Sequence, residues 1–156
     1  MPLPVSYYKM LTESSGLRPI FMGQIEEGPY FSRLKELMPH SEFWPSSTPV
    51  CDFNTIANAR HIASSVSSFS WLAAWLSSSA TAIHLPVCGI LNPLQRPDVD
   101  LLPYPDSRFH YYQFPVAYWR NTTEQIENLR FGNQIFTEMS QSDVVQLKSS
   151  NLRVVI

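Results

Sequence analysis

The chain has 156 residues, of which 44% are hydrophobic and only 15% charged; this excludes a disordered chain and leaves length for one domain of ordinary size with a core of its own. A net charge of −2 with no basic block excludes a protein that grips nucleic acid by general electrostatics, while a single anionic small molecule stays open. No apolar run approaches the ~20 residues that cross a bilayer, so no transmembrane segment is expected, and no basic stretch followed by an apolar one marks a secretory signal. The expected location is therefore the cytoplasm, or the inner face of a membrane.

Helix and strand signals alternate along the chain. Val5, Tyr8 and Leu11 recur at helical spacing over Val5–Ser14, and Gly16 supplies a stop. Arg18–Met22 reads as a short strand, with Pro19 near its start and Gly23 and Gln24 at its end. Tyr30, Leu34, Leu37 and Met38 predict a helix over Pro29–Met38, closed by Pro39, and Ser41–Trp44 reads as a second strand ended by Pro45, Ser46 and Ser47. Asp52 is a candidate N-cap for a helix from Phe53 to about Ala59. His61–Ser64 then reads as a strand and Phe69–Ser77 as a helix. That helix is bulky around much of its circumference and should be buried. Thr81–Val87 is the next strand. Gly89–Pro105, rich in Pro, Asn and Asp, reads as a long surface excursion. The aromatic run Phe109, Tyr111, Tyr112, Phe114 and Tyr118 predicts a strand, Thr122–Arg130 a helix, and Val144, Val145 and Leu147 a last helix before the apolar end Val154-Val155-Ile156. Short units joined by short connections predict an α/β fold: an open parallel sheet with helices on both faces, because parallel neighbours need crossover helices. Residues 1–120 carry this pattern, and 121–156 read as a helical extension of the same domain.

The densest chemical signal is the segment Ser64-Ser65-Val66-Ser67-Ser68-Phe69-Ser70, five serines in seven positions directly before the apolar run Trp71-Leu72-Ala73-Ala74-Trp75-Leu76. In open parallel sheets, ligands bind beyond the carboxyl ends of the strands. A helix N-terminus there offers unpaired N–H groups and a partial positive charge, a natural seat for phosphate. Small serines at Ser65, Ser67, Ser68 and Ser70 add O–H donors, which makes a diphosphate site without a glycine motif. The same serines also read as a helix N-cap, which needs no ligand. Both readings stay open at this stage.

Other constellations are absent or loose. Gly-x-Ser-x-Gly, the Walker phosphate loop and GxGxxG do not occur. His40, His61, His84 and His110 show no metal-ligand spacing and read as structural or surface residues, with His61 notable only for its place before the serine turn. Asp98, Asp100 and Asp106 read as solvated loop carboxylates. Cys51 and Cys88, far apart and without CxxC spacing, read as reduced thiols, and Asn121-Thr122-Thr123 reads as a chance sequon.

The serine–tryptophan segment Ile62–Leu76 resembles the S-x-S-[ST]-F-S-W-W-x-A-W-L signature of bacterial fucosyltransferase-like, exopolysaccharide-type glycosyltransferases, with Leu72 where that signature has its second Trp. Asp52-Phe53 with Ile56 and Ala59, the strand Ile83–Val87, Asn92-Pro93, Leu101-Leu102-Pro103, Asp106–Phe109 and Phe114-Pro115 extend the resemblance over residues 3–120. It implies a Rossmann-like domain forming one half of a GT-B architecture, the half that binds a nucleotide sugar. Carried over by position, Ser67, Ser68, Phe69 and Ser70 touch the donor diphosphate, Ser65 belongs to the same donor-binding set, Asp52 lies by the base or ribose, and Gly23 and Gln24 line the same cleft. The implied substrate is a nucleotide sugar, with a lean toward a GDP-linked one, and no metal cofactor is expected. The implied partners are a glycan acceptor and an acceptor-binding domain, with no nucleic acid. The Arg-rich HxRRxD-type motif of fucosyltransferases does not occur, and one domain is half the length of such an enzyme. The chain is therefore expected to be a donor half or a stand-alone relative, and a non-catalytic nucleotide- or carbohydrate-binding module is the alternative.

Overall fold

A computed structural model describes residues 1–132 and 136–151, so the apolar end Val154-Val155-Ile156 lies outside the described residues. In chain order the elements are α1 (Val5–Ser15), β1 (Ile20–Gly23), α2 (Pro29–Leu37), β2 (Glu42–Pro45), α3 (Pro49–Ala57), β3 (His61–Ala63), α4 (Ser68–Trp75), β4 (Ala82–Val87), a single 3-10 turn (Gly89–Leu91), β5 (Phe109–Gln113), α5 (Thr123–Phe131), β6 (Thr137–Met139) and α6 (Gln141–Asn151). The contacts divide the chain into two units, one of Pro2–Asp52 with Trp119–Gln134 and one of Met1, Phe53–Tyr118 and Ile135–Ile156. The residues beyond 120 are thus shared, α5 falling in the first unit and α6 in the second.

In the first unit β1 runs parallel to β2, from Ile20 opposite Glu42 to Gly23 opposite Pro45. The parallel pairing follows from the crossover through α2, which a hairpin would not allow. Val5, Leu34 and Met38 are buried, and Phe21 and Phe43 stack across the two strands at 5.1 Å between centroids. Gly16 ends α1 in the left-handed conformation at φ 67°, its amide bonded to the Thr12 carbonyl at 3.0 Å; a Cβ would be strained there. A full capping box opens α5, with Thr122 and Gln125 each bonding the other's backbone amide.

The second unit carries a four-stranded sheet in the order β3-β4-β5-β6. β3, β4 and β5 are parallel, and β6 adds antiparallel to β5, so the unit is α/β with a mixed sheet, compatible with a Rossmann-like fold. The strand β6 has no signal in the sequence: Thr137-Glu138-Met139 is short, and two of its three residues are exposed. Only its pairing with Tyr111–Gln113 defines it. Ile62, Ile83, Leu85, Val87, Phe109 and Tyr111 alternate along their strands onto one face and join Ala74 of α4 and Val144 and Leu147 of α6 in one core. The opposite face carries His61, Ala63, His84, Pro86, His110 and Tyr112. Both helices therefore serve the same face of this sheet, where the sequence suggests helices on both.

Candidate functional site

The serine turn stands where the sequence places it, between the carboxyl end of β3 and the start of α4. Its backbone is tied to the sheet by the Ser64 amide, which donates to the His84 carbonyl at 3.0 Å. Ser67 is the N-cap: its backbone is extended at φ −147° and its hydroxyl accepts from the Phe69 amide at 3.2 Å. Three other serines bond among themselves. The Ser70 hydroxyl lies 3.1 Å from that of buried Ser64 and 2.9 Å from that of Ser65, and it can donate to the Ser65 and Ser67 carbonyls. Ser64 and Ser70 thereby satisfy hydroxyls that burial would otherwise penalise. Ser65 and Ser68 are exposed. Five serines therefore divide into one cap, a bonded cluster that stiffens the turn, and Ser68 facing solvent at the first residue of the helix.

A second loop packs on this turn. Gly89, just past β4, has φ 57°, and a Cβ built there would meet Val66 Cγ1 at 2.9 Å. Both the backbone conformation and the space call for glycine. The connections after two adjacent parallel strands thus meet at the carboxyl edge of the sheet. Beside them the thiol of Cys88 is buried, and burial pushes it up to about 12; Cys51 is exposed.

The remaining expected site residues belong to the other unit. Gly23 ends β1 with φ 136°, its carbonyl accepting from the Ser46 amide at 2.7 Å, and Gln24 is exposed. Asp52 is only 7% exposed. Its carboxylate accepts from the hydroxyl of Ser46 and from the amide and hydroxyl of Ser47 at 3.1 and 3.3 Å. These bonds, the Ser46 hydroxyl foremost, hold its carboxyl below the usual carboxylate range. Asp52 is not the N-cap of α3. The helix begins at Pro49, whose fixed φ suits the first helical position, and Thr48 caps it by accepting from the Cys51 amide at 3.2 Å. Gly23, Ser46 and Asp52 form one connected strap.

Sheet register assembles a group that spacing along the chain does not reveal. His84 and His110 are direct partners across β4 and β5, their rings 5.2 Å apart and nearly parallel. His84 Nδ1 lies 3.1 Å from the Tyr112 hydroxyl, and His110 Nδ1 lies 3.7 Å from Glu138 Oε1. Burial, with the nearby His110 and His61, brings the His84 pKa down to about 4, and burial beside Glu138 raises Tyr112 to about 12. The only sequence signal would have been the three histidines on strands that turn out to be adjacent.

The acidic residues of the excursion are ion-paired: Asp98 with Arg96, Asp100 with Lys148 at 2.8 Å, and Asp106 with Arg108 at 2.7 Å. Among the described residues no group of three or more His, Cys, Asp or Glu is placed to hold a metal ion, and no helix is long and apolar enough to cross a membrane. No protein-family model, no curated protein and no solved structure matches the chain.

Proposed function

We propose that the chain binds the diphosphate of a nucleotide sugar at the serine turn and first turn of α4, as the donor-binding half of a glycosyltransferase that builds a polysaccharide or other glycan. The carrying observation is position: a serine turn at the carboxyl end of a parallel strand that leads directly into a helix N-terminus. The amides of the first helical turn have no partner within the helix, and only that of Phe69 is used by the cap. The exposed hydroxyls of Ser65 and Ser68 add to them. In this reading the leaving diphosphate is stabilised by preorganised N–H and O–H donors, and the site demands no metal. Gly23, Gln24 and Asp52 lie in the other unit, so the proposal stands on the serine turn alone. The resemblance to fucosyltransferase-like enzymes supplies the rest: a Rossmann-like half of a GT-B architecture, a lean toward a GDP-linked donor, and an acceptor-binding partner domain that brings the glycan acceptor and the general base.

The cap bond of Ser67 and the Ser64–Ser65–Ser70 cluster favour a second reading, in which the turn is structural. Thermal unfolding with GDP, UDP and ADP separates the two. The proposal expects one diphosphate to stabilise the chain, by about 2.7 kcal/mol at a hundredfold excess over its dissociation constant, and Ser68→Ala to weaken that effect. A folded chain that no nucleotide stabilises ends the donor reading. A chain that binds a nucleotide yet supports no transfer when an acceptor domain is supplied is a non-catalytic binding module.

A further inference from the structure

We draw no further inference here: the strongest candidate, the exposed apolar patch that Phe69, Leu72, Trp75 and Leu76 form along α4 and its C-cap, carries nothing, because nothing in the structure shows what covers it.

Discussion

Ser67 and Ser68 are neighbours in sequence, yet their replacement by alanine should have different consequences. Ser67→Ala removes the cap of α4 and should cost about 1 kcal/mol, read as a lower denaturation midpoint in urea with an unchanged slope. Ser68→Ala should leave that midpoint within about 0.5 kcal/mol, since its side chain is exposed at the surface, and should act only on nucleotide binding. His84 predicts a pH dependence. Its folded pKa of about 4 lies below the unfolded value, so between about pH 6.5 and 4 the unfolded chain binds the proton first. Stability should therefore fall as pH drops through that window and level off below it. Partial solvent screening limits the loss to about 2 kcal/mol. Denaturation midpoints across this range should show the slope in the wild type, and His84→Gln should flatten it.

At the scale of elements, the two loops that meet at the carboxyl edge should be coupled. Gly89→Ala forces a Cβ against Val66 Cγ1 and places alanine at φ 57°, and should destabilise by about 1 to 2 kcal/mol. Val66→Ala in the same chain relieves the collision but leaves the backbone strain, so a double-mutant cycle should return only part of the loss. The elements themselves were largely legible. Gly16 and the Val5–Tyr8–Leu11 spacing mark α1, and serines followed by Trp-Leu-Ala-Ala-Trp mark α4, because capping and period are local properties. The start of α3 was misplaced, since Asp52 looks like a cap by residue type while its carboxylate is taken by Ser46 and Ser47. The edge strand β6 and the stack of His84 on His110 were not legible, because both come from register between strands rather than from any pattern within one.

For the whole molecule, charge placement sets the expected salt response. A diphosphate held by amides and hydroxyls, in a span without Lys or Arg, should bind with an affinity that changes less than about threefold between 50 and 300 millimolar salt; an Arg- or Lys-based site would lose far more. Titration of the stabilising nucleotide at the two salt concentrations checks this. The division into two units was not legible. The sequence alternates helix and strand throughout, and only contacts show that Thr123–Phe131 returns to the first unit while Gln141–Asn151 closes the core of the second.

The unequal surroundings of the two thiols turn the chain into its own labelling reagent. Cys51 is exposed, whereas Cys88 is buried with its pKa pushed up to about 12, so it holds almost no thiolate near neutral pH. One equivalent of a disulfide reagent should react promptly with the native chain and the second only as fast as the β4 edge opens. A fluorophore placed on Cys51 then reports from α3 without any engineered residue, and the rate of the second reaction times the opening of the sheet edge beside the serine turn.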